Sequence, residues 1–359
     1  MHNRAPRFHL TKRADISRKR AWGVRIGAIL IALIIGAMIF VILGHNPLRA
    51  YGLIITGSLG KKTALRQTIK IAVPLLGTAI ALAPCFKMRF WNIGAEGQLT
   101  AGAIGATFFA LYFYDRMPGP VLLIVMGIAG AVCGAVWALI PAAFKAKWGT
   151  NETLFTLMMN YIAIGLVKWL QGGPWEGKPG SQIIPNFNSK AVLPQIGGVH
   201  CGWIIVLILT AFIYIYMRYS KHGYEIAVVG ESHNTARYAG MSVAKITIRT
   251  MLLSGAICGL VGYMVASGAN RTLYHSVAGG VGFTAITVAW LAQFNPFAMV
   301  AISFMLGILE KGAGTLQTTL AVPESASDII TGILLFCMLA SEFFIHYKIV
   351  RNKREEAVK

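Results

Sequence analysis

Apolar runs of bilayer-spanning length, or nearly so, follow one another along most of the chain. They cover about 26–43, 65–83, 92–114, 119–140, 153–170, 202–219, 247–267 and 328–347. Two shorter runs, 278–293 and 296–312, meet at Asn295 and Pro296. Because a spanning helix needs roughly 20 apolar residues, this pair is expected to be tilted, half-inserted or re-entrant. The pattern predicts an all-α integral membrane protein with about ten transmembrane helices, including the short pair near 280–312.

The composition agrees with a membrane protein. Of the 359 residues, 56% are hydrophobic and only 13% are charged, whereas a soluble domain carries about 25% charged residues. The net charge of +20 would indicate nucleic-acid binding in a soluble protein. Here the cations lie mainly between the apolar runs, so a role in membrane topology explains them and no nucleic-acid partner is expected.

The charges also predict how the chain is divided. Residues 1–25 hold eight Lys or Arg and one acid, and we interpret them as a cytoplasmic basic tail that touches anionic membrane lipid. Residues 26–348 form the transmembrane domain, and 349–359 form a cytoplasmic C-terminal tail. With both termini cytoplasmic, 22 of the 33 Lys and Arg residues lie inside, which is the usual bias. The cations of 44–70 lie outside, where an amphipathic surface segment would explain them.

The predicted cytoplasmic loop 218–249 has a local order of its own. Ser232 can cap a short helix over about 233–239, and Gly240 can end that helix. A short helix between two spans suits docking to a soluble partner. A structured connector without a partner is the alternative.

Few acids occur within the apolar runs, and Glu96 is the most informative of them. A carboxylate inside a bilayer costs several kcal/mol, so such a residue is by default a functional candidate. At helical spacing, Asn92 and Glu96 lie opposite a glycine-rich face that a neighbouring helix can approach closely. The pairs Gly130/Gly134 and Gly255/Gly259 likewise indicate helix packing through small residues.

Two further groups of residues are candidates for contact with a solute. Glu152, Thr156 and Asn160 recur at helical spacing, and this polar stripe either lines a pathway or hydrogen-bonds a neighbouring helix. Phe283 and Trp290, beside glycines and an amide, suit a ring-shaped polar solute. Ordinary packing of aromatic and small residues is the alternative for this second group.

Motifs for nucleotide hydrolysis and for catalysis are missing. The segment 57–63 approaches a phosphate-binding loop, but Ile55 replaces its first glycine and Lys62 its Ser or Thr. The five scattered cysteines match no metal-binding spacing, and no His-Glu-x-x-His motif occurs. We therefore expect no metal, no cofactor and no ATP hydrolysis in this chain. A membrane-embedded enzyme acting on lipid, with Glu96 as its catalytic acid, is a less favoured alternative.

The segment 90–98 resembles the Asn-Ile-Gly-Ala-Glu-Gly-Gln signature of bacterial ABC importer permeases for simple sugars and nucleosides. The segment 149–162 is similar to the nucleoside branch. The segments 227–241 and 280–296 resemble the cytoplasmic loop that docks the ATPase in this family and its late short-helix region. The likeness extends from about residue 65 to 347, and its motifs occur in the family's order.

The resemblance implies a permease, here the longer of the two in the nucleoside branch, in the bacterial plasma membrane. Its partners would be a second permease subunit, ABC ATPase subunits that hydrolyse ATP, and an extracellular substrate-binding lipoprotein. The implied substrate is a nucleoside. The alternatives are a ribose-like sugar or a branched-chain amino acid.

On this interpretation two sets of residues carry the function. The solute pathway is expected to be lined by Asn92, Glu96, Gln98, Glu152, Thr156, Asn160, Phe283 and Trp290. The loop that docks the ATPase is expected to use Gly230, Glu231, Asn234, Ala236, Arg237, Tyr238 and Gly240. Glu96 has a second possible role, as a buried acid that holds Asn92 and nearby helix ends in place. We favour this role, because a neutral nucleoside needs no fixed charge on its route.

Overall fold

The structure, a computed structural model, describes residues 8–12 and 17–351, and it is mostly helical there. The helices are α1 (Arg18–Ile42), α2 (Pro47–Leu59), α3 (Lys62–Lys87), α4 (Ala95–Tyr112), α5 (Gly119–Trp148), α6 (Glu152–Gln171), α7 (Gly202–Tyr219), α8 (Lys221–Glu231), α9 (His233–Tyr238), α10 (Val243–Met264), α11 (Val281–Leu291), α12 (Pro296–Leu320) and α13 (Glu324–His346). Four short strands, β1 (Phe8–Lys12), β2 (Gln195–Ile196), β3 (Val199–His200) and β4 (Tyr347–Arg351), form two antiparallel pairs, β1 with β4 and β2 with β3.

The helices agree with the predicted spans. Among the described residues, α3, α5, α6, α7, α10 and α12 are each long and apolar enough to cross a membrane. Helices α1 and α2 pass this test together and meet at an angle of 111°. Helix α4 has 18 residues but is not among these candidate spans, because Glu96 and Gln98 reduce its mean hydropathy. The ten predicted spans correspond to α1, α3 to α7 and α10 to α13, which confirms the expected class of fold.

The two short apolar runs near 280–312 differ from each other. Helix α11 has 11 residues, whereas α12 has 25 and is of full spanning length. Before α11, a π-helical turn ends α10 at Asn270, and irregular backbone continues to Gly280. Leu273, Val277 and Ala278 of this irregular stretch are buried. Non-helical backbone is tolerated at membrane depth where protein buries it, so this stretch meets that condition.

The described residues form two compact units. The larger unit is Ser58–Lys311, and the smaller consists of the described parts of Met1–Gly57 and Gly312–Lys359. In the smaller unit α1 packs against α13, and the Tyr51 hydroxyl of α2 donates a hydrogen bond to the Leu33 carbonyl of α1 at 2.6 Å. The pairing of β1 with β4 joins the segments that precede α1 and follow α13.

Helix α10 lies at the centre of the larger unit, where it packs against α3, α4 and α5. Glycines permit this contact, because a Cβ atom at Gly259 would lie 2.1 Å from the Gly130 carbonyl oxygen. A Cβ atom at Gly102 of α4 would lie 2.2 Å from Cα of Gly259. A Cβ atom at Gly134 would lie 2.3 Å from the Gly255 carbonyl oxygen. Packing through the two predicted glycine pairs is therefore confirmed, and the pairs contact each other.

The predicted cytoplasmic loop contains two helices. Helix α9 confirms the expected short helix, since the Ser232 hydroxyl accepts a hydrogen bond from the Thr235 N–H at 3.2 Å and Gly240 follows with φ +72°. Helix α8 has no counterpart in the prediction, because its two glycines lower helix propensity. One of them serves close packing: a Cβ atom at Gly230 would lie 2.1 Å from the Lys87 carbonyl oxygen at the end of α3.

Candidate functional site

The turn between α3 and α4 carries Asn92, which is fully buried. Asn92 Oδ1 accepts hydrogen bonds from the Gly94 N–H at 3.0 Å and from Gln98 Nε2 at 3.1 Å. Its Nδ2 donates to Gln98 Oε1 at 3.3 Å and to Ser254 Oγ of α10 at 3.4 Å. The two amide side chains therefore satisfy each other and fasten this turn to α10.

Two residues of the polar stripe on α6 bind the same turn. Thr156 Oγ1 accepts a hydrogen bond from the Ile93 N–H at 3.2 Å. Asn160 Nδ2 donates to the Ile93 carbonyl at 2.9 Å, and Asn160 Oδ1 accepts from the Gly97 N–H at 2.8 Å. Of the two alternatives for the stripe, these contacts correspond to hydrogen bonding with a neighbouring element.

The side chain of Glu152, the first residue of the stripe, does not join this network, although the Glu152 carbonyl accepts a hydrogen bond from Thr156 Oγ1 at 2.7 Å. Its carboxylate pairs with Lys145 Nζ of α5 at 2.7 Å, and both side chains are partly exposed. A partly exposed ion pair contributes roughly 0–1 kcal/mol to stability. The structure therefore places Glu152 at the junction of α5 and α6, apart from the other predicted pathway residues.

Glu96 lies in the first turn of α4 and caps a different helix. Its Oε1 accepts a hydrogen bond from the Gly280 N–H at 2.8 Å, and its Oε2 accepts one from the Gly282 N–H at 2.7 Å. These amides begin α11, and its N-cap residue Gly280 supplies no side-chain cap of its own. A carboxylate at this position satisfies free N–H groups and interacts favourably with the helix dipole. Glu96 is 5% exposed.

Glycines allow the tip of α11 to reach this carboxylate. A Cβ atom at Gly282 would lie 2.4 Å from the backbone nitrogen of Glu96. Gly280 has φ +80°, a left-handed conformation that glycine adopts without strain. Gly282 is thus explained by a close approach between α4 and α11, and Gly280 by its left-handed backbone.

The aromatic candidates lie on the open face of α11. Phe283 is 42% exposed and Trp290 is 38% exposed. Trp91, which the sequence motifs alone do not single out, is 46% exposed and stacks on Trp290 with ring centroids 5.4 Å apart. The ring of Phe86 packs against both tryptophans. The available sequence signal for Trp91 is its position directly before Asn92.

The predicted pathway residues therefore separate by environment. The polar groups of Asn92, Glu96 and Asn160 are buried and paired with protein, whereas Phe283 and Trp290 are exposed and present an open aromatic surface that Trp91 extends. Aromatic faces bind ring-shaped ligands by stacking and by burial of apolar area. Since both carboxylate oxygens of Glu96 accept backbone hydrogen bonds, this carboxyl group is poorly placed for acid catalysis.

The predicted docking residues divide into packed and exposed positions. The exposed residues are Glu231, Asn234, Arg237, Tyr238 and Gly240, whereas Gly230 is buried. Ala236 is fully buried and holds α9 against the rest of the unit. Tyr238 is 93% exposed, and Arg237 precedes it. Tyrosine and arginine are enriched among the residues that dominate protein–protein binding energy, so this surface is suited to a protein partner.

Comparison with known proteins covers nearly the whole chain. Residues 64–339 match the family described as branched-chain amino acid transport system / permease component. The chain is 30% identical to the glucose ABC transporter permease protein TsgB13 of Haloferax volcanii, over 95% of this chain and 93% of that protein. It is 30% identical to the guanosine ABC transporter permease protein NupP of Bacillus subtilis, over 92% of this chain and 96% of NupP. It is 27% identical to the nucleoside ABC transporter permease protein NupB of Lactococcus lactis, over 92% of this chain and 93% of NupB.

The family match includes the Asn92–Glu96 network, the aromatic surface and the α8–α9 region. It confirms the resemblance of the 90–98 motif to permeases of ABC importers. A transport subunit, as opposed to an enzyme, follows from it, and so does a multi-pass position in a membrane. The chain belongs to the family of branched-chain amino acid transport system permease components.

Proposed function

We propose that this chain is a permease subunit of an ABC importer for nucleosides. The observation that carries the proposal is the end-to-end match with NupP and NupB, which are named for guanosine and nucleoside transport. The open surface of Trp91 and Trp290 supports it, because a nucleobase is planar and stacks on aromatic rings.

Of the two permease subunits expected in such an importer, we assign this chain as the longer one. NupP of Bacillus subtilis matches 92% of this chain at 30% identity. NupQ, named as a guanosine ABC transporter permease protein of the same organism, matches 68% of this chain at 26% identity. A second permease subunit would then complete the membrane part of the importer.

The proposed orientation has both termini in the cytoplasm of a bacterial cell. The pairing of β1 with β4 supports placing the two ends on one side of the membrane. The excess of Lys and Arg in the predicted inner segments supports the cytoplasmic side. On this orientation α9 faces the cytoplasm, where it would dock the ATPase, and the loop 172–201 faces a substrate-binding lipoprotein outside.

In the proposed mechanism this chain provides a route and changes shape, and the ATPase performs the chemistry. ATP binding would displace the α8–α9 region. Gly230 of α8 packs on the Lys87 carbonyl, and Trp91 and Asn92 follow four and five residues later in the chain. A displacement at α8 would therefore reach the aromatic surface through a short stretch of backbone.

Replacing Tyr238 by alanine is expected to weaken association with the ATPase by about 2 kcal/mol, the usual loss at a binding hot spot. The variant should fold normally, because this side chain is almost fully exposed. Co-purification of the ATPase with the tagged permease measures the effect, and Tyr224→Ala on the exposed surface of α8 is the matched control. Equal recovery of the ATPase by both variants would show that α9 is only a connector.

Deletion of the gene is expected to abolish uptake of labelled uridine or guanosine and to leave ribose and glucose uptake unchanged. The glucose permease among the relatives makes sugars the second candidate, and the family's description adds branched-chain amino acids. Parallel uptake assays with these substrates decide among the three. Loss of sugar uptake alone would refute the nucleoside assignment and leave the permease assignment intact.

A further inference from the structure

A groove of about 340 Å³ lies beside the beginning of α3. Helix α3, the first turn of α7 and the β2–β3 hairpin form its walls. Its principal lining residues are Lys62, Arg66, Leu65, Ile69, Ile196 and Trp203. The groove therefore combines two cationic side chains with an apolar surface. Its volume is within the range of protein sites that bind small molecules.

The guanidinium group of Arg66 packs against the hairpin. The turn between β2 and β3 contains Gly198, at φ +84°. A Cβ atom at Gly198 would lie 2.5 Å from Cζ of Arg66, so a larger residue would displace the guanidinium group. The hairpin thus places this cation at the edge of the groove.

Positive charge is concentrated beside this groove. Lys61, Lys62, Arg66 and Lys70 all lie within the first turns of α3 or immediately before it. In the part of the chain that the structure describes, no carboxylate lies within ion-pair distance of Lys62 or Arg66. On the proposed orientation these are among the cations that depart from the positive-inside bias. An anionic group from outside the chain would balance them.

The groove lies at the level where two membrane-spanning helices begin. Lys62 opens α3 and Gly202 opens α7, and both helices qualify as candidate spans. Trp203 follows directly, and tryptophan is enriched at membrane–water interfaces. The apolar residues Leu65 and Ile69 extend along α3 toward its more apolar part. A ligand with a charged head and an apolar tail matches this order of surfaces.

We propose that the groove binds one anionic phospholipid of the leaflet that contacts the 172–201 loop. Arg66 and Lys62 hold its phosphate, and the first methylenes of its acyl chains pack on Leu65, Ile69 and Trp203. Guanidinium and ammonium groups form charge-assisted hydrogen bonds with phosphate oxygens. Two adjacent cations favour a headgroup of net negative charge over a zwitterionic one, whose own cationic group they would repel.

Native mass spectrometry of the full-length chain in detergent, with any subunits that co-purify, tests this proposal. Phosphatidylglycerol is titrated against the wild type and the double variant Lys62→Ala/Arg66→Ala. The double variant is expected to lose affinity for the first bound lipid about tenfold or more, since each contact to phosphate is charge-assisted. The control Lys168→Ala/Lys178→Ala removes the same charge from exposed positions outside the groove lining and should retain wild-type affinity.

Further arms test each part of the proposal. Ile196→Asp places a negative charge on a 47% exposed residue of the groove and should also abolish binding. Phosphatidylcholine should bind at least tenfold more weakly than phosphatidylglycerol, and inorganic phosphate should not compete. Equal losses in the double variant and its control would overturn the proposal in favour of general charge attraction. Competition by inorganic phosphate would overturn it in favour of a simple anion site, and unchanged binding by Ile196→Asp would refute the location.

Discussion

Replacing Gly259 by alanine is expected to prevent stable packing of the larger unit. The added methyl group would lie 2.1 Å from the Gly130 carbonyl oxygen and 2.9 Å from Cα of Gly134. Both contacts are with backbone, so α5 and α10 would have to separate. Overpacking typically costs about 1–3 kcal/mol, and more where the contact is with backbone that cannot adjust. Helices in a membrane associate through close packing, which makes the loss especially damaging.

The melting temperature of the detergent-purified full-length chain measures this effect. Gly165→Ala is the matched control, because a Cβ atom at that position of α6 meets nothing within 4 Å. The control should be neutral or slightly stabilising, since alanine exceeds glycine in helix propensity by up to about 1 kcal/mol. If both variants melt at the same temperature, the close contact of the α4, α5 and α10 glycines is not important for stability.

Local sequence patterns predict the elements of this fold well. Ser232 and Gly240 define both ends of α9 because capping depends only on neighbouring residues. The irregular stretch before α11 and the full length of α12 are not evident from hydropathy. The irregular stretch depends on which residues the rest of the chain buries, as the burial of Val277 shows. Helix α8 is not predicted from the sequence, because its Gly230 is explained only by the long-range contact with Lys87.

In the candidate site, too, long-range contacts are not predictable from the sequence. Sequence periodicity places Thr156 and Asn160 on one side of α6 and identifies them as polar groups in an apolar helix. It cannot show that their partner is the backbone of Ile93, which lies more than 60 residues earlier in the chain. The packing role of the glycine face of α4 is predictable, whereas its partners Asn160 and Cys133 are not. Long-range pairing decides whether a polar residue faces a solute or another helix.

Glu96→Gln is expected to loosen α11 and thereby reduce transport. The glutamine side chain retains one acceptor oxygen but directs an NH2 group at the N–H of Gly280 or Gly282. One buried N–H then loses its partner, and the free energy of unfolding should fall by about 1–3 kcal/mol. Because α11 carries Phe283 and Trp290, its displacement should also reduce uptake.

Hydrogen exchange separates this supporting role from direct contact with the solute. In Glu96→Gln, amides in a peptide covering 279–291 should exchange faster, since two of them are the donors to the carboxylate. A peptide covering 153–170 should exchange at the wild-type rate. Glu152→Gln is the matched control, because it removes an acid whose partly exposed ion pair is worth little. It should leave exchange in 279–291, melting temperature and uptake near wild-type values.

The opposite pattern would assign Glu96 to the pathway. In that case Glu96→Gln would lower uptake while the melting temperature and the exchange of 279–291 stayed at wild-type values. The geometry argues against this outcome, because the two N–H groups already engage both carboxylate oxygens and the residue is almost fully buried. A neutral nucleoside also gains little from a fixed negative charge on its route. We therefore expect Glu96 to act through α11, and the solute to meet the aromatic rings that α11 presents.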